Sequence, residues 1–88
     1  MWDTSNLRDM SYMFRNAQAF NQDISPWYTN NVWNMSQTFY QASSFNQDLS
    51  SWNMGNVMYA SDMFLNTALS TYNYNQILDG WSQQSVLG

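Results

Sequence analysis

The sequence predicts an α/β solenoid: a stack of about three 25-residue coils, each a short strand plus a short helix, with a helix capping the C-terminal end. Three observations carry this. A six-residue stretch occurs twice, as Phe20-Asn21-Gln22-Asp23-Ile24-Ser25 and Phe45-Asn46-Gln47-Asp48-Leu49-Ser50. Residues 2–26 and 27–51 are identical at twelve of twenty-five positions. Matches continue at the same spacing into a third block, through Trp2/Trp27/Trp52 and Phe14/Phe39/Phe64, until the pattern lapses after Asn66. A fixed period of this length marks stacked similar units, and an atypical last unit is expected where stacking stops. The organisation is read as one repeat domain over 1–88, with coils 2–26, 27–51 and 52–69 and a capping segment 70–88.

Within the first coil, Leu7, Met10, Met13, Phe14 and Ala17 recur at spacings of three and four, which predicts one apolar face of a short helix. Thr4-Ser5-Asn6 precede it as candidate caps. The second coil repeats the pattern with Val32, Met35, Phe39 and Ala42, and the third with Val57, Ala60, Met63 and Phe64. A polar turn follows each helix, and then an extended segment whose alternation puts Phe20, Gln22 and Ile24 on one side. Like strands would pair in parallel through right-handed crossovers. Stacking also accounts for the repeated amides: Asn6/Asn31/Asn56, Asn21/Asn46 and Gln22/Gln47 can bond from coil to coil. The tryptophans are read first as core or edge packing, ahead of an exposed aromatic track for a glycan. Pro26 falls where no ladder bond is needed. From Ser70 the pattern changes: Tyr72, Tyr74, Ile77, Leu78 and Trp81 predict an amphipathic covering helix, with Asp79-Gly80 a possible break and Val86-Leu87 apolar at the end.

Composition narrows the function. The chain of 88 residues has no Cys and no His, and its only basic residues are Arg8 and Arg15. Disulfide staples and Cys/His zinc sites are therefore excluded. Six aspartates give a net charge of -4, which argues against nucleic acid. Five Trp, six Tyr, five Phe and seven Met are too many large apolar groups for a disordered segment. No stretch has the length and hydropathy of a membrane span, and Met1-Trp2-Asp3-Thr4 lacks the features of a signal peptide.

With these residues set out, the pattern from Trp2 to Trp27, with its Met-Ser-Tyr-Met-Phe and Phe-Asn-Gln-Asp-Ile-Ser signatures, resembles the repeat of BspA-like leucine-rich repeat surface proteins. These are also described as carrying a lipoprotein-associated repeat of unknown function. The resemblance covers residues 2 to about 67, and Tyr74-Asn75-Gln76-Ile77-Leu78-Asp79-Gly80-Trp81 looks like the segment after the last repeat in such proteins. It implies a leucine-rich-repeat-like stack, an extracellular or cell-surface location, and roles in adhesion or in binding host or matrix components. It brings no catalytic residues. The sequence departs from the usual pattern at Tyr28 and Trp33, where small or polar residues are common, and at Thr38, where Met is usual.

Catalysis has little to work with. There is no imidazole, thiolate or lysine to serve as base or nucleophile. Asp23 and Asp48, stacked in adjacent strands, would lie roughly 5 Å apart, a separation compatible with a retaining glycosidase pair. The repeat explains that pairing without chemistry, so no enzyme is expected. The same carboxylates with Asn21 and Asn46 could hold calcium, but hydrogen bonding to neighbouring amides is the favoured reading and no cofactor or metal is expected.

The leading expectation is a non-enzymatic surface or secreted module for adhesion. It would bind protein or glycan through the face carrying Asp23, Ser25, Asp48 and Ser50, or through the aromatics Tyr28, Trp33 and Tyr40. The alternative is a self-assembling structural subunit stacking head to tail into filaments, because an open coil end exposes ladder groups and apolar side chains. The short length and lack of staples favour either a stretch of a longer array or such a subunit.

Overall fold

The computed structural model describes residues 4–82 and 84. Trp2, Val86 and Leu87, named in the tryptophan column and the C-terminal reading, lie outside the described residues. Among the described residues there is one helix, α1 (Thr71–Ser82), and no strand; pairing of β type is limited to the isolated parallel bridges Asp9–Asn34 and Asn34–Tyr59. The expected α/β solenoid of strand-plus-helix coils, leucine-rich-repeat-like in form, is therefore not what forms. Its radius of gyration, 12.0 Å, matches the roughly 12 Å expected of a compact chain of this length.

The expected repeat helices are replaced by runs of tight turns. In the first repeat the N–H groups of Met13, Arg15 and Ala17 donate three residues back, to the carbonyls of Met10, Tyr12 and Phe14. Those between them turn outward: the N–H groups of Met10, Tyr12, Phe14 and Asn16 donate to the carbonyls of Asn34, Ser36, Thr38 and Tyr40 at 2.8–3.1 Å. The second repeat does the same to the third, from Met35, Gln37, Phe39 and Gln41 to Tyr59, Ser61, Met63 and Leu65. A helix would satisfy the N–H groups beyond its first turn internally and leave no such alternating row along its side to join one repeat to the next. Turns closing at three residues bring the same side chains inward as a helix does. Hence Met10, Val32, Met35, Phe39, Ala42 and Met63 are buried although the helices are absent.

Turning the backbone this way requires left-handed residues at two places per repeat: Tyr12, Gln37 and Asp62, and then Asn16, Gln41 and Asn66, have φ of 53–63°. None is glycine: Asn16, Asp62 and Asn66 are types that tolerate the region, while Tyr12, Gln37 and Gln41 carry the cost of a Cβ there, about 1–2 kcal/mol. A β-branched residue fits worst there. Gln41→Val is therefore expected to destabilise the fold by about 1–2 kcal/mol and Gln41→Gly to be close to neutral. Urea unfolding of the two variants, read against the parent chain, checks this; equal losses would mean that side-chain contacts rather than φ govern the site.

The expected strands fail for a different reason. In the segment 20–25 the joining acceptor is a side chain: Asn21 Oδ1 takes the Asn46 N–H at 2.8 Å and Gln47 Nε2 at 2.9 Å. One repeat on, Asn46 Oδ1 takes the Ser70 N–H at 2.8 Å and Asn73 Nδ2 at 3.0 Å. The amide oxygen takes the N–H that a ladder would give to a backbone carbonyl, and among the described residues the one direct backbone bond along these segments is Ala68 N–H to Phe45 O at 3.2 Å. The other amides bond to the preceding repeat's backbone, Asn31 Nδ2 to Ser5 O and Asn56 Nδ2 to Asn30 O.

Phenyl rings run through the centre: Phe14–Phe39 and Phe39–Phe64 stack at 5.5 and 5.6 Å between centroids, within 5° of parallel. Phe20 and Phe45 flank them at 4.1 Å from Phe14 and Phe39 respectively. A tryptophan closes each layer: Trp52 is buried against Phe39 and donates Nε1–H to Ile24 O at 3.0 Å. Trp81, on α1, does this for the third layer, packing against Phe64 and donating to Leu49 O at 2.9 Å.

The segment 71–82 is helical, as its apolar spacing predicts, and Asp79-Gly80 does not break it. Ser70 caps it, its Oγ accepting the Asn73 N–H at 3.1 Å. Ile77 is buried beneath it, while Tyr72, Tyr74 and Leu78 face outward. Beyond the helix, Gln84 holds the third repeat by accepting the Met54 N–H and donating to Trp52 O.

Candidate functional site

Because matched residues sit one above another, the sides of the molecule carry columns of side chains. One column is Arg8, Trp33 and Met58, held in line by Trp33 N–H donating to Arg8 O and Met58 N–H donating to Trp33 O, both at 2.8 Å. All three are exposed, Met58 to 73%. Trp33 meets Tyr59 edge to face at 5.9 Å, the preferred geometry for a pair of ring quadrupoles. Two rings, a thioether and a guanidinium thus share one surface. A second cluster lies where the Arg15 guanidinium stands over the Tyr40 ring at 5.4 Å and the Tyr12 ring at 6.0 Å. Cations so placed are attracted to the negative ring face.

The candidate residues are distributed among several places. Trp33 lies in the first cluster and Tyr40 in the second, half-buried beneath Arg15. Tyr28 is exposed, its N–H donating to Thr4 Oγ1. Among the described residues no ring contact or hydrogen bond joins these three to one another. Asp23 and Asp48 each accept the N–H of the serine two residues on, Ser25 at 3.0 Å and Ser50 at 2.9 Å. They close a tight turn before each tryptophan, a use of aspartate that needs no ligand. Ser50 is half-buried under α1, where Gly80 approaches it, while Asp23 remains exposed. Tyr59, Met58, Tyr12 and Arg15 were missed by sequence reasoning. The signal was present, since the 25-residue register places Arg8 and Met58 on either side of Trp33.

Two carboxyls are held below the ordinary carboxylate range: Asp23 by the Ser25 hydroxyl and then its N–H, and Asp9 by the same two groups of Ser11. A carboxyl whose native pKa is depressed contributes stability that is present above its unfolded pKa and is lost as pH falls through the native one. Thermal unfolding is therefore expected to show an acid limb below about pH 4. The Asp9→Asn, Asp23→Asn double variant should flatten it; an unchanged limb would assign acid sensitivity elsewhere. Both carboxyls are exposed, so the effect is small.

Each end of the stack carries an open apolar cleft. At the first repeat Phe14, Phe20, Ile24, Pro26 and Trp27 line a cleft of about 420 Å³. At the third, Met63, Phe64, Ile77, Leu78 and Trp81 line one of about 380 Å³.

Residues 1–87 match a family described as Mycoplasma protein of unknown function, DUF285. The chain belongs to the DUF285 family. The match spans all three repeats and α1 of this DUF285 chain, so repeats and helix form one family unit. No curated protein and no solved structure matches the chain. Among the described residues, no helix of this DUF285 chain is long and apolar enough to cross a membrane.

Proposed function

We propose that this chain is a non-enzymatic recognition module of the BspA-like surface type, secreted or displayed at a cell surface, which binds protein or glycan through the side carrying Trp33. The observation that carries the reading is the exposed Trp33–Tyr59 pair flanked by Arg8 and Met58. Exposed rings with a neighbouring guanidinium are the composition of binding hot spots. Aromatic faces also stack on sugar rings, and Tyr and Trp supply large contact area at small entropic cost. The sequence-level resemblance supports the surface role, and the absence of His, Cys and Lys supports a binding function over a catalytic one.

The test is a binding screen of the 88-residue chain against glycans and extracellular-matrix proteins, with each positive repeated on Trp33→Ala. Because Trp33 is bonded to the layers above and below through its backbone, the variant should keep its fold. Binding is expected to weaken by roughly tenfold or more. Full binding by Trp33→Ala, with loss in Asp23→Asn, Asp48→Asn, would move the site to the other face.

A further inference from the structure

Each repeat is polar along the stack. Four N–H groups point one way and four carbonyls point the other, so the two ends of the molecule differ in kind. At the first repeat, the carbonyls of Asp9, Ser11, Met13 and Arg15 stand where Asn34, Ser36, Thr38 and Tyr40 accept in the second; among the described residues nothing donates to them. At the third repeat, the N–H groups of Ala60, Asp62, Phe64 and Asn66 stand where Met35, Gln37, Phe39 and Gln41 donate in the second. They have no acceptor among the described residues. The opposite-running bond common to both interfaces, Trp33 N–H to Arg8 O and Met58 N–H to Trp33 O, is matched as well: among the described residues the Arg8 N–H has no acceptor at one end and the Met58 carbonyl no donor at the other. An edge of unused backbone groups is a template for pairing with another chain.

We propose that a second copy of this chain docks head to tail, the carbonyl row of its first repeat accepting the N–H row of the third. The five backbone bonds that join the first repeat to the second would be reproduced between molecules. The apolar surfaces match in the same register. Phe14 of the incoming copy would lie on Phe64 as Phe39 does, continuing a column spaced at 5.5–5.6 Å. Its Met13, 39% exposed, would become covered as Met63 is at the same position two repeats on. The two clefts would close on one another, with α1 along the rim supplied by Leu78 and Trp81. Such a contact uses different surfaces on the two partners. It repeats into a filament or closes into a ring, and does not stop at a symmetric pair. This goes beyond ligand recognition by the side of the stack and leaves the Trp33 surface free.

Light scattering and sedimentation of the 88-residue chain over a concentration series test it. Mass is expected to rise with concentration without a plateau at the dimer, or with a plateau at a closed ring. A monomer up to about 1 mM, the weakest association worth the name, overturns the proposal. Two variants separate the ends. Met13→Lys places a charge on an already exposed side chain at the carbonyl end, and Ala60→Pro removes an N–H that makes no bond among the described residues at the other. Each alone should be monomeric, and an equimolar mixture should form a one-to-one dimer through the two intact ends. Association that survives in either variant alone means like ends or sides meet, and overturns the proposal. Leu78→Lys, exposed on α1, replaces Ala60→Pro should the proline variant not fold, with the same outcomes.

Discussion

Replacing Phe39 with alanine is expected to cost about 3–5 kcal/mol of unfolding free energy, a large share of the 5–15 kcal/mol typical of a small domain. Phe39 is fully buried and is stacked on both sides by its counterparts in the other repeats, Phe14 and Phe64. It also touches Phe45 at 4.1 Å and Trp52 at 6.2 Å. Removing it opens a cavity in the middle layer that neighbours bound by backbone ladders cannot collapse to fill. Phe14→Ala removes the same ring from the end of the column, where it is half-exposed, and should cost roughly half as much. At several degrees per kcal/mol, the two melting temperatures should differ by about ten degrees or more. Equal losses would show that the column is not a continuous core and that burial in the middle layer counts for nothing extra.

Gly80→Ala is expected to destabilise the chain by about 1–3 kcal/mol, although alanine is the better helix former by about 1 kcal/mol. A Cβ at residue 80 would stand 2.7 Å from both the Cβ and the carbonyl oxygen of Ser50, and 3.1 Å from its Cα. Backbone cannot swing aside as a long side chain can, so α1 must lift. Lifting it strains the Trp81 Nε1–H bond to Leu49 O and the contact of Trp81 with Phe64. Tryptophan fluorescence should move to longer wavelength as the melting temperature falls. Ser50→Gly would relieve only part of the loss, because the carbonyl oxygen stays. A rise in melting temperature for Gly80→Ala would mean that α1 is not seated on Ser50.

The inward-facing residues were legible because apolar side chains spaced at three and four must share a side, and Met10, Met35, Phe39 and Ala42 do. Which backbone delivers that spacing was not legible. A helix and a run of three-residue turns give the same spacing, and the residue type that would have announced the turns, glycine, occupies none of the left-handed positions; Tyr12, Gln37 and Gln41 hold three of the six. Phe20 and Ile24 turn inward as alternation required. The pairing beside them could not be foreseen, because Asn21 Oδ1 takes the place of a backbone carbonyl. α1 was readable from the spacing of Tyr72, Tyr74, Ile77, Leu78 and Trp81, with no competing turn pattern, but not which of them would be covered: Ile77 is buried while Tyr72, Tyr74 and Leu78 face outward. At the candidate site, Trp33 stood out as an aromatic where small residues are usual. Its partner Tyr59 did not, because their contact is diagonal between repeats and not between matched positions. Tyr28, Trp33 and Tyr40 each have their own neighbours, Tyr28 bonding to Thr4, Trp33 standing between Arg8 and Met58, and Tyr40 lying under Arg15.

The one-way direction of the inter-repeat bonds makes height a matter of counting. Both interfaces share five matched backbone bonds and the same ring contact, the second adding Tyr59 N–H to Trp33 O and Ala68 N–H to Phe45 O, so the molecule behaves as a one-dimensional chain of couplings in which only adjacent members speak to each other. Inserting or deleting one period in register would change the number of couplings by one and leave every remaining contact as it was. An insertion of any other length would break the register at every position of one interface at once. Evolution can therefore lengthen or shorten such a protein in whole steps of 25 residues without redesigning its interior.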